Sequence, residues 1–366
     1  MEPLGGLSLQ VAAPLSALLL VIGALGVFLA STVVFDTIHY LLHRCHDSGW
    51  PVLRQLGGLH EVHHRFLDRD LRLHPEYLRA NLVHHVIPEY LTHVSFSLCL
   101  LWILPASLVY TTLGLQTLVV LFILSRQGMD PNHVEVARIP AYRPMYLCVP
   151  AYHWLHHRHP EAYMSSYIKL FDHLVGTGAT LRGRQIALDG AATPFGAALR
   201  EQLENAGVAR VVSLEEMGEA GRARLDSVLQ GSDVLVVADA GRAAESCAGV
   251  ARELIERFRE LTRERKVAPE VWAVAPARSG SQDFERYARA YYHDPRLIYR
   301  HIVLPERVRS GAEIGWVARA CARIALFLIR RGLNYVPITA TGLVPLGFLR
   351  FRFLTQPLRP ARRAAA

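Results

Sequence analysis

Phe35-Asp36-Thr37-Ile38-His39-Tyr40-Leu41-Leu42-His43 is the stretch in which an uncharged apolar run passes into a pair of imidazoles. Residues four apart share one face of a helix, so His39 and His43 can converge on one ion. The theme returns in His60-Glu-Val-His63-His64 and in His153-Trp-Leu-His156-His157, with His133 and the segment His74-Pro75-Glu76 between them. Taken singly, each of these residues reads as a surface or core histidine. That reading fails on the clustering, because fourteen of the 18 histidines lie from His39 to His157. One HxxxH and two HxxHH groups hold more nitrogens than one ion uses, which points to two metal ions. Imidazole suits iron, zinc, copper and nickel alike. An all-nitrogen pair of ions at a membrane face is best used for oxygen activation, so two iron ions are expected, with zinc as the alternative in the isolated protein.

The apolar runs set the frame around these groups. No charged residue occurs between Glu2 and Asp36, and Pro14–Phe35 is long enough to cross a bilayer core of about 30 Å. Tyr90–Ser125 is also free of Asp, Glu, Lys and Arg and is divided by Pro105, so it reads as a hairpin of two spans, Leu82–Leu104 and Ala106–Leu124. Three spans put every histidine group and the C-terminal half on one side. That side carries Arg44, Arg54, Arg65, Arg69, Arg72 and Arg79, which makes it cytoplasmic by the positive-inside rule. A multi-pass protein of a bacterial cytoplasmic membrane is the expectation. The net charge of +8 fits that face, and no basic-aromatic motif favours nucleic acid as a partner. Cys45, Cys99, Cys148, Cys247 and Cys321 are scattered without a CxxC, which argues against a disulfide framework or a thiolate site.

The order HYLLH, LHEVHH, RLHPE, YHWLHH and then Ser165-Ser-Tyr-Ile-Lys-Leu-Phe171-Asp172-His173-Leu-Val-Gly-Thr177 resembles the fatty acid hydroxylase / sterol desaturase superfamily over about residues 30–178. What the resemblance implies is a membrane α-helical di-metal domain that hydroxylates or desaturates a lipid C–H bond. It would use O2 as co-substrate, with electrons from an external donor of ferredoxin or cytochrome type. The implied ligands are His39, His43, His60, His63, His64, His153, His156 and His157, with His133 in the place of a further one. His74, His84 and His85 are additional candidates. Asp36, Glu61, Glu76 and Asp172 are placed to orient rings through their other nitrogen.

Composition shifts near residue 181, giving an expected membrane domain 1–180 and a second domain 181–366. Arg184–Asp189, Val208–Val212, Ser232–Ala238, Pro269–Ala275 and Leu297–Leu304 read as strands of an α/β Rossmann-like sheet. This half is similar to a truncated short-chain dehydrogenase/reductase. Its turn, Gly190-Ala-Ala-Thr193-Pro194-Phe-Gly196, keeps Gly190 and Gly196 but has Pro194 where the resemblance implies a glycine. The Tyr/Lys pair of that family is replaced by Phe284 and Ala288, and Tyr287 has Tyr291 rather than lysine four residues on. A degenerate domain is therefore expected, without hydride chemistry and without NAD(P). For residues 316–332 a buried helix and a membrane-surface helix are equally compatible, whereas 336–355 reads as membrane-associated. Rival readings are a bifunctional oxygenase-reductase, an aldehyde-cleaving enzyme of the plant wax type, and a zinc-binding membrane protein without oxygenase activity.

Overall fold

In the computed structural model the apolar run and the first histidine pair lie on one unbroken helix, α1 (Gly5–His46). Nothing between Phe35 and His43 breaks a helix, so the backbone passes Asp36 without a turn. The structure describes residues 5–70, 72–134, 146–215, 222–238, 246–265, 268–276, 288–294, 296–305, 308, 315–338, 348–349 and 351. The chain divides into two compact units, Met1–Thr177 and Gly178–Ala366.

In the first unit α2 (Pro51–Phe66) starts with proline at a position that needs no N–H and folds back on α1. Gly57 allows the approach: a Cβ there would stand 2.5 Å from the backbone N of His46 and 2.9 Å from the carbonyl of Leu42. The buried face of α2 is Gly57, His60, His63 and Phe66, one residue per turn. A short helix, α3 (Leu78–Asn81), leads into a π turn over Leu82–Val86, then α4 (Ile87–Cys99) and a 3-10 turn over Leu100–Trp102. The expected single span Leu82–Leu104 is thus helical but irregular. Pro88 supplies the reason: its ring crowds the carbonyl four residues back, and the turn widens so that Ile87 N–H donates to Leu82 O. After Pro105 comes α5 (Ala106–Ser125), which packs with α1 and α4.

Two helices, Leu15–His46 and Ala106–Ser125, are long and apolar enough to cross a membrane. Their outer surfaces expose Leu19, Ile22, Leu118 and Leu121, an apolar band that lipid solvates better than water. Beyond them the unit is completed by α6 (Pro150–Arg158) and α7 (Leu170–Val175).

The second unit is a six-stranded parallel sheet of order β2-β1-β3-β4-β5-β6. The strands are β1 (Gln185–Asp189), β2 (Arg210–Ser213), β3 (Val234–Val237), β4 (Glu270–Pro276), β5 (Ile298–Leu304) and β6 (Tyr335–Pro337). Both faces are covered, as the continuous apolar runs of β3 and of Val271–Ala275 in β4 require. α8 (Pro194–Glu204) and α11 (Gly315–Arg330) pack on one face, and α9 (Arg222–Gly231) and α10 (Ser246–Leu261) belong to the other core.

One alternative left open by the sequence is decided here and one expectation is revised. Residues 316–332 belong almost wholly to α11, whose Ala318, Cys321, Ala322, Ala325 and Ile329 are buried against the sheet. Tyr335–Pro337 is a strand paired with β5, and Val336, Ile338 and Phe351 are buried in the cores of this unit. The remainder of 336–355, apart from Phe348 and Leu349, lies outside the described residues.

Candidate metal centre

Eight of the nine expected ligands form two groups of four in the first unit. His39, His43, His64 and His156 make one, and His63, His133, His153 and His157 the other, with the donor atoms of each group within 4.8 Å of one another. Helical geometry explains the split. In an HxxHH segment the first and last histidines point nearly together, while the middle one points about 100° away from the last. His153 and His157 accordingly serve one group and His156 the other, and His63 and His64 part in the same way.

The nitrogens are spaced as donors to a common ion. His43 Nε2 lies 3.1 Å from His39 Nε2 and 3.3 Å from His64 Nε2. His153 Nε2 lies 2.7 Å from His133 Nε2 and 3.1 Å from His157 Nε2. Metal–imidazole bonds of about 2.0–2.1 Å put two nitrogens on one ion about 3.0–3.4 Å apart, which His39–His43, His43–His64 and His153–His157 meet and His133–His153 undershoots. His60, the ninth expected ligand, falls in neither group of four but packs its ring 4.6 Å from that of His39 and 4.8 Å from that of His43. His60 Nε2, His63 Nε2 and His156 Nε2 are buried without a hydrogen-bond partner. Such orphaned acceptors are costly in a dry interior, and a cation satisfies them. The residues present therefore fit two metal ions.

The outward nitrogens are held by a different set from the one expected. His156 Nδ1 donates to Ala162 O at 2.9 Å and His157 Nδ1 to Leu67 O at 2.9 Å. His63 Nδ1 donates to Asn81 Oδ1 at 3.2 Å, and His133 Nδ1 pairs with Asp130 Oδ2 at 3.1 Å. The hydrogen bonds of His63, His156 and His157 place their proton on Nδ1 and turn the Nε2 lone pair inward, while Asp130 faces His133 Nδ1 at ion-pair distance. Asp130 Oδ1 also accepts the N–H groups of Asn132 and His133, a local turn that aims the His133 ring. Burial raises the Asp130 carboxyl, but the facing His133 and its hydrogen bonds outweigh this and hold it well below the usual range. Burial, followed by the neighbouring imidazole of His156, lowers His60 to about 3. Burial lowers His156 to about 4. His63, His64, His153 and His157 are pushed down by burial and then by neighbouring rings. All are neutral near pH 7, the form that ligates a metal.

Among the described contacts, none of the four carboxylates expected to orient rings reaches a ring of the two groups of four. Asp36 accepts the N–H and hydroxyl of Ser166. Asp172 accepts from Tyr152 Oη at 2.7 Å, from the N–H groups of Met164 and Ser165 and from the Thr177 hydroxyl, so it fixes the loop behind α6. Glu76 stands 3.4 Å from His74 Nδ1, and Glu61 contacts no ring of the cluster among the described contacts. His74 is half-exposed, pairs with Asp68 and Glu76, and lies outside the centre. Of the adjacent pair, His84 makes no ring contact with the cluster among the described residues, whereas His85 stacks on His63 at 3.7 Å between centroids. Asp130 and Asn81 were missed by the sequence reading. The Asp-x-x-His spacing of an Asx turn was the available signal for the first, and there was none for the second.

In the second unit the turn after β1 keeps Gly196 for packing, since a Cβ there would stand 2.0 Å from Gly190 O. Its donors are taken internally. Thr193 Oγ1 accepts from Gly196 N at 3.0 Å, Glu215 Oε2 accepts from Ala192 N at 2.8 Å, and Pro194 has no N–H. Few N–H groups are left for a pyrophosphate. Phe284 and Tyr287 lie outside the described residues; Ala288 and Tyr291 are buried in the core.

The chain is 30% identical over 219 residues to a monoglucosyldiacylglycerol epimerase from Synechocystis sp. (strain ATCC 27184 / PCC 6803 / Kazusa), covering 53% of this chain and 51% of the relative. It thus spans about half the length of the curated relative it matches. No protein-family model and no solved structure matches the chain.

Proposed function

We propose that the first unit is a di-iron, O2-dependent lipid oxidase of the fatty acid hydroxylase / sterol desaturase type. On this reading the irregular helix Leu82–Trp102 serves as the third span and the histidines face the cytoplasm. The observation that carries it is the convergence of two four-histidine groups at the end of apolar helices. Bound iron would supply the one-electron chemistry and O2 activation that protein side chains lack. The chain's own part is to keep the Nε2 lone pairs inward through Leu67 O, Ala162 O, Asn81 and Asp130, and to exclude water from the centre. Electrons come from an external ferredoxin or cytochrome, because the second unit offers an obstructed dinucleotide turn and acts as a scaffold.

Purified full-length protein should contain about two irons per chain and consume O2 with a chemical reductant. Stoichiometric zinc with no O2 uptake overturns the reading. Saturable NADPH binding to the full chain would overturn the scaffold role. The relative's name supports a second reading, a glycolipid epimerase. Mass spectrometry of lipids from cells with and without the protein separates the two: oxidation adds an oxygen or removes two hydrogens, and epimerisation leaves the mass unchanged.

A further inference from the structure

A second polar cluster lies deeper among the apolar helices than the histidine centre. Gln116 Nε2 on α5 shares its two hydrogens among Ser97 Oγ at 2.8 Å, Ser31 Oγ at 3.2 Å and His93 O at 3.3 Å. The carbonyl of His93 can only accept, which fixes the amide orientation and leaves Gln116 Oε1 as the atom without a partner. Gln116 is 2% exposed. Ser31 gives its proton to Phe28 O at 2.7 Å, so it accepts from His93 Nδ1 at 2.8 Å. His93 Nε2 is then a second acceptor, 3.6 Å from Glu89 Oε1. That separation is too long for a direct hydrogen bond. Gln116, His93 and Glu89 line one pocket with room for about one water-sized group, whose other walls include Phe28, Val120 and Tyr167. That room matches a single hydroxyl group rather than a whole ligand.

The geometry points to this pocket as a binding site for a hydroxyl group carried on the apolar portion of a membrane lipid. The amide oxygen of Gln116, Nε2 of His93 and the Glu89 carboxyl are acceptors, so an O–H donor can satisfy the partnerless Gln116 Oε1 where an ester carbonyl cannot. Polar groups at this depth are expensive unless they serve a ligand or a path. Ser31 precedes His39 by eight residues on α1, about 12 Å along the axis. Glu89 reaches back toward the centre, with Oε2 3.7 Å from Nε2 of His85, the ring that stacks on His63. The site would therefore hold one part of a lipid while another part reaches the histidines. As a substrate site it rests on the lipid-oxidase reading, but binding itself needs neither O2 nor reductant.

The test is equilibrium binding to the full-length detergent-solubilised protein, under nitrogen, of a mid-chain hydroxy fatty acid methyl ester and of the unsubstituted methyl ester. The wild type should prefer the hydroxy ester by about tenfold, the scale of one buried hydrogen bond. Gln116→Leu should bring the two esters within about twofold, with metal content unchanged. Ser97→Ala, which keeps Oε1, should retain the preference. Equal affinities in the wild type, or an undiminished preference in Gln116→Leu, overturns the assignment. A retained preference in protein that takes up no O2 supports the pocket and removes only the oxidase reading.

Discussion

His153 Nε2 lies 2.7 Å from His133 Nε2, and the two rings meet at 76°. One ring belongs to α6 and the other to the turn that Asp130 builds after α5. Two imidazole nitrogens at this distance share a proton or a cation, and the neighbouring nitrogens of His63 and His157 make the cation the better occupant. Replacing His133→Ala should lower the metal content by about one ion per chain while the other group keeps its own. His74→Ala, outside the centre, should leave both. Metal analysis of the purified variants checks this, and equal losses in the two would count against the assignment.

Gly57 and Gly58 make an internally controlled pair. A methyl on Gly57 meets the backbone of His46 and Leu42, which cannot rotate away, whereas a Cβ on Gly58 has nothing within 4 Å. Gly57→Ala should push α2 off α1, costing on the order of 1–3 kcal/mol. It should also weaken metal retention, because His60, His63 and His64 ride on α2. Gly58→Ala should change neither property. Thermal unfolding and chelator-driven metal loss provide the two readouts.

Asp172 is fully buried and accepts bonds from Tyr152, Met164, Ser165 and Thr177. Removing it with Asp172→Ala strands several donors and should cost about 3 kcal/mol or more. Tyr152→Phe loses one bond and should cost about 1–2 kcal/mol. Denaturant titration in detergent would show the order; a Tyr152→Phe loss as large as that of Asp172→Ala would contradict it.

The lowered histidines set a direction for pH. An unfolded chain binds protons on its imidazoles near pH ~6.5, whereas folded His156 waits until about 4 and His60 until about 3. Between those values the unfolded state holds more protons, so the metal-free protein should lose stability as the pH falls through that window. The denaturation midpoint should decline from neutral pH toward acid, and His60→Asn should flatten the decline. A midpoint that is constant or rises on acidification would refute the neutral burial of these rings.

Much of the centre was legible from spacing alone, since HxxxH and HxxHH are local statements about one helix face. The strands of the second unit could be read for a similar reason: β3 and most of β4 are continuous apolar runs. Tyr335–Pro337 could not, because three residues ending in proline carry too little pattern, and only the open edge of β5 makes them a strand. His84 and His85 were indistinguishable in sequence, and the π turn that Pro88 imposes sends one of them onto His63.

The sequence by itself determined that the histidines are gathered on helices beside apolar runs, and that they outnumber the needs of one ion. Tertiary structure decided which histidine joins which group and what holds its far nitrogen. It also decided that Gln116 meets Ser31, His93 and Ser97. The reason is physical. Helical periodicity is set by neighbouring residues, but ligand sharing depends on the angles at which α1, α2 and α6 cross. The carbonyls of Leu67 and Ala162 that orient His157 and His156 belong to every amino acid alike, so no residue type announces them.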